Sequence, residues 1–186
     1  MARSTFVAFE GFPRILEQAD LRPGRWFVAA EDLRPVLCFV TDAKEGDDLV
    51  ALTFSTARVE QIDFAPIGLS RVPGPYGTVE DEILFTPGLS EPGALLLAPV
   101  RRAFRGGTLL RLKNGDLGIG FATKTSPLVV ASLATGLVAE GHDLVFDRWT
   151  LSLRRGATVS VIGHFKPLSA LNAERRRTAA LNASGA

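Results

Sequence analysis

Short apolar runs of Val, Leu, Ile, Phe and Thr recur along this chain, and Gly or Pro separates most of them from the next. β-branched and aromatic residues suit a pleated, half-buried ribbon, and Gly and Pro set the backbone angles that turns need. Many short strands and many turns are therefore expected, in a mainly β, antiparallel fold. The strongest local signal is Asn114-Gly115, whose residues tolerate positive φ, between the apolar runs Thr108 to Lys113 and Leu117 to Thr123. A hairpin is expected there.

Other strands are read at Thr5 to Phe9, Arg25 to Ala29, Pro35 to Thr41, Leu49 to Ser55 and Glu80 to Phe85. They continue at Leu128 to Leu133, Leu144 to Phe146, Thr150 to Leu153 and Thr158 to Ile162. Pro13 to Asp20 reads as a short N-terminal helix, since Pro fits a first turn and Ile15, Leu16 and Ala19 would share a face. The charged stretch Asp42 to Asp48 reads as a turn. Residues 168–186 are rich in Ala, Arg, Asn and Leu, and a helical or flexible C-terminal tail is expected there.

RWFVAAEDLRPVLCFVTDAKEGDDLVALTFS and TLLRLKNGDLGIGFATKTSPLVVASLAT share an order of three strands. That likeness suggests two small barrel-like modules, with a single sandwich as the alternative. The expected division is an acidic β module over 1–72, a Pro/Gly-rich linker or projecting loops over 73–93, a basic β module over 94–167, and the tail.

Charge divides along the same line. Up to Pro92 there are 15 acidic residues against 8 basic, a net of −7; beyond it there are 5 against 13, a net of +8. The halves could neutralise each other within one fold, copies could associate head to tail, or the basic half could meet a polyanion. Arginine supplies 17 of the 21 basic residues, and its fork suits carboxylate and phosphate pairs at interfaces.

Few residues suggest chemistry. Cys38 lies in the apolar run Val36 to Val40 and reads as a small buried hydrophobe. His142 and His164 with Asp143 and Asp147 match no metal-ligand spacing. Ser126 or Ser132 with His142 and Asp143 lacks the Gly-x-Ser-x-Gly elbow of a nucleophile, and Glu80-Asp81-Glu82 reads as a solvated strand edge. No catalytic residue, metal or cofactor is expected. Glu10 interrupts what a secretory leader would need as an apolar core, and Pro127 to Ala139 is too short to span a membrane, so a soluble, cytoplasmic or particle-borne protein is expected.

A non-enzymatic assembly or protein-binding subunit follows, a homo-oligomer or part of a phage-like or other multi-subunit particle. Pro73, Pro75 and Tyr76 would form its partner-binding loop. The alternative is a nucleic-acid-binding module, in which Arg101, Arg102, Phe104, Arg105, Arg154 and Arg155 contact phosphates and stack on bases. A hydrolase or metal-dependent enzyme built around a histidine is the weakest reading.

Overall fold

The computed structural model describes residues 14–31, 34–58, 61–88, 106–146 and 148–166. These form thirteen strands: β1 Ile15–Leu16, β2 Trp26–Glu31, β3 Arg34–Glu45, β4 Asp48–Arg58, β5 Gln61–Gly68, β6 Tyr76–Thr78, β7 Glu82–Gly88, β8 Thr108–Leu112, β9 Leu117–Phe121, β10 Val129–Ser132, β11 His142–Phe146, β12 Arg148–Arg155 and β13 Thr158–Phe165. Nine make one sheet in the order β1-β6-β2-β3-β4-β5-β13-β12-β7, and four make a second in the order β10-β9-β8-β11. The mainly β expectation holds, and no helix of seven residues or more occurs among the described residues.

Two features differ from the expectation. The large sheet is mixed, because β13 meets β5 in parallel, and neither sheet closes into a barrel. The large sheet nevertheless curls: Trp26 of β2 and Phe85 of β7 bring their rings to 5.8 Å although five strands lie between them in the sheet. The two triplets with similar sequence are both meanders, β2-β3-β4 and β8-β9-β10, but they lie in different sheets.

The expected N-terminal helix is absent. Leu16 is buried and its neighbour Ile15 is 71% exposed, which is the alternation of a strand, and β1 pairs with β6. Only Gln18–Asp20 turns, as a 3-10 segment in which Glu17 N–H donates to the Asp20 carboxylate. Asp42 to Asp48 is mostly strand, since β3 and β4 pair down to Glu45 and Asp48 and leave only Gly46-Asp47 at the turn. Within the Pro/Gly-rich stretch 73–93, Tyr76–Thr78 forms β6 and Glu82–Gly88 forms β7, both in the large sheet, while residues 89–93 lie outside the described residues. The expected strand at Thr5 to Phe9 and the tail at 168–186 lie outside the described residues.

Both faces of the β2-β3-β4 meander are covered. Leu37 and Phe39 face a large cluster with Leu109, Ile119, Phe121, Trp149 and Leu151, while Val36, Cys38 and Val40 face a smaller one with Leu16, Leu21, Leu69 and Val72. A strand buried on both sides has no polar face to keep, which explains the unbroken apolar run around Cys38. Because the large cluster draws on β2 to β5, β8 to β10 and β12, both charge halves contribute to the same core.

Candidate functional site

The end of the large sheet is a three-strand ribbon with β12 between β7 and β13. Successive side chains of a strand point to opposite faces, and Trp149, Leu151 and Leu153 turn into the core. The other face carries three cross-strand rows: Glu82-Arg154-Val159, Leu84-Ser152-Val161 and Thr86-Thr150-His164. In the last row the Thr150 Oγ1 and His164 Nδ1 atoms are 2.8 Å apart.

β13 leaves its neighbour early. Its ladder with β5 is registered at His164↔Gln61, and from Thr158 to Gly163 the edge facing away from β12 pairs with no strand among the described residues. A bulge between Leu151 and Ser152 shifts the β12–β13 register there, and a bulge bends its strand and increases local twist. At the Gly156-Ala157 turn that joins β12 to β13, Gly156 has φ +59°, as a tight two-residue hairpin requires. Val159 and Val161 lie on this outer half at 53% and 52% exposure, on one face of the strand.

Charge around the ribbon is answered locally. Arg154 donates two N–H bonds to the Glu82 carboxylate, and Arg155 grips Asp81 in the same two-pronged way at 2.7 and 3.0 Å. Lys124 reaches Glu45 at 3.4 Å. Each pair joins a carboxylate of the acidic half to a base of the basic half, so part of the charge split is neutralised inside the fold. Exposed pairs contribute little to stability, but they cancel net charge at the ribbon's rim.

The Arg154 hydrogen bonds hold the Glu82 carboxyl below its ordinary value, with the attraction of the guanidinium acting the same way and partial desolvation opposing it. A lowered carboxyl favours the folded state above its unfolded value, about pH 4.3, and that contribution is lost as pH falls through the lower folded value. In an NMR titration Glu82 is expected to protonate below the ordinary glutamate range, and Arg154→Gln should return it upward. A Glu82 midpoint that ignores the substitution would mean the pair does not form in solution.

The other expected site residues are dispersed. Arg101, Arg102, Phe104 and Arg105 lie outside the described residues, while Arg154 and Arg155 are both engaged by carboxylates. Pro73 and Pro75 are exposed between the 3-10 segment Leu69–Arg71 and β6, but Tyr76 turns inward. Its hydroxyl donates to the Val72 carbonyl at 2.9 Å and its ring meets Phe27 edge-on. His142 and His164 sit in different sheets. Among the described residues no group of three or more His, Cys, Asp or Glu could hold a metal.

An open groove of about 500 Å³ runs beside β10, lined by Ala43, Lys44, Thr123, Ser126, Val129 and His142 among others. Its hydroxyls are turned to local use: Ser126 N–H donates to Thr123 Oγ1, and Ser126 Oγ–H donates to the Leu128 carbonyl. The β13 edge, unpaired among the described residues, is thus the more distinctive surface. Val159 and Val161 were legible as strand residues, but nothing in their spacing told which face would be left uncovered.

Comparison with protein-family models, with curated proteins and with solved structures finds no match for this chain.

Proposed function

We propose that this chain is a non-enzymatic assembly subunit that associates with copies of itself through the outer half of β13. The observation that carries this reading is a strand edge from Thr158 to Gly163 that pairs with no strand among the described residues, with Val159 and Val161 exposed beside it. Strand edges offer rows of unmet N–H and C=O groups, and proteins ordinarily blunt them with Lys, Pro or a covering loop. The stretch TVSVIG contains no Lys and no Pro. The arginines on the adjacent strand are bound to Glu82 and Asp81, so they offer little net charge to repel an approaching chain.

Association of this kind rests on backbone hydrogen bonds and apolar contact, so it should persist as salt rises; association driven by the charge split would weaken. Sedimentation velocity across a concentration series is expected to show an oligomer. The double substitution Val159→Lys/Val161→Lys should raise its dissociation constant by at least about tenfold. A chain that stays monomeric at every concentration, at low and high salt, would remove the basis for this function.

A further inference from the structure

Building on the self-association reading, we infer that β13 pairs with β13 of a second copy in an antiparallel, two-fold ladder centred on Ser160, joining two large sheets into one.

The edge from Thr158 to Gly163, which pairs with no strand among the described residues, is about the length of an ordinary strand and enough for a ladder. Register is decided by the side chains. Residues directly opposite each other in an antiparallel pair point to the same face, so an odd slip sets the valine face of one copy beside the serine face of the other. Among the remaining registers, a centre at Val159 pairs Val159 with itself and leaves Val161 opposite Ala157. A centre at Val161 leaves Val159 opposite Gly163. Only the centre at Ser160 sets Val159 of each copy against Val161 of the other, and β-branched cross-strand pairs of this kind stabilise a ladder.

The neighbouring rows fit the same register. Extended across the two-fold, one row reads Leu84-Ser152-Val161 in one copy followed by Val159-Arg154-Glu82 in the other, with both valines at its centre. Two copies of a basic edge would ordinarily repel, but here each brings Arg154 and Arg155 already gripped by Glu82 and Asp81. The partner that fits is thus a second copy, whose identical edge supplies the matching valines and a neutral rim. Such an interface is isologous and closes at two subunits; it does not propagate into a filament.

Cysteine pairing reads the register directly. Opposed Cα atoms in an antiparallel pair lie about 4.5–5.5 Å apart, within reach of a disulfide. Ser160→Cys is therefore expected to link most chains into covalent dimers under mild oxidation. Thr158→Cys places its two thiols four residues apart along the ladder, roughly 14 Å, and should link about tenfold less. Cys38 is fully buried and offers no competing thiol.

Equal linking at both positions would show random collision and overturn the register. So would absence of linking at Ser160→Cys in a chain that still self-associates and is dissociated by Val159→Lys/Val161→Lys, an outcome that leaves the assembly reading standing. A chain that is monomeric throughout overturns both.

Discussion

Replacing Trp149 with alanine is expected to lower the unfolding free energy by about 4–6 kcal/mol, from the cavity of a lost indole and one orphaned carbonyl. Trp149 is 1% exposed and sits where the sheets meet. Its ring stacks on Phe165 at 4.9 Å and lies 5.2 Å from Phe85 and 6.2 Å from Phe54, so β4, β7 and β13 all pack on it. Its Nε1–H donates to the Gly107 carbonyl at 2.7 Å, at the entry to β8 in the second sheet. Domains of this kind have only about 5–15 kcal/mol in total, so the variant would be marginal. Trp149→Phe keeps most of the ring and loses only the donor, and should cost less than half as much. Urea titration followed by the fluorescence of Trp26 checks both. A cost below about 2 kcal/mol for the alanine variant would mean that this side chain does not bridge the sheets.

Gly136→Ala is expected to be nearly as damaging, at about 3–5 kcal/mol, although it adds a single methyl group. Gly136 has φ +74°, and a Cβ there would collide with the Gly24 nitrogen, lie 2.6 Å from the Val40 carbonyl oxygen and lie 2.8 Å from the Pro23 carbonyl carbon. All three are backbone atoms and cannot swing aside. This is where the turn after β10 is pressed onto the large sheet: Asp42 N–H donates to the Gly136 carbonyl at 2.9 Å, and Val138 N–H donates to the Asp42 carboxylate at 2.6 Å. Gly115 separates the two components of the cost. Its φ is +90° but nothing lies within 4 Å of its Cβ position, so Gly115→Ala should cost only about 1–2 kcal/mol, that of the left-handed backbone alone. Thermal unfolding of the two variants should differ by several degrees; equal midpoints would mean the Gly24–Gly136 contact is loose in solution.

Much of the strand content was open to local reading because its causes are local. Asn114-Gly115 required a positive φ and a two-strand ribbon, and β8 and β9 flank it. The run Pro35 to Thr41 alternates between two buried faces, which made it a strand whichever side met the core. Where the reading failed, a distant contact had intervened. Ile15 and Leu16 are compatible with a helix until β6, about sixty residues later, supplies a ladder partner. Asp42 looked like a turn residue, but its backbone and carboxylate are claimed by residues 136 and 138. The prolines of the stretch 73–93 suggested a linker or projecting loops, yet Pro87 sits within β7.

The candidate surface was legible only in outline. Arg154 and Arg155 stood out as a basic pair, but their carboxylate partners lie more than seventy residues earlier in the chain, so their neutralisation had no local signature. Tyr76 was placed in an exposed loop, and Phe27 with the Val72 carbonyl draws it inward.

By itself the sequence determined that this chain is built from short strands and tight turns, and where most of them lie, because side-chain alternation and turn chemistry act over a few residues. The tertiary structure alone decided that strands of both charge halves share one core, that β13 meets β5 in parallel and then parts from it, and that Val159 and Val161 remain uncovered. Those outcomes depend on which distant strands close upon one another, and the chain-closure entropy and packing that choose among pairings are properties of the whole fold.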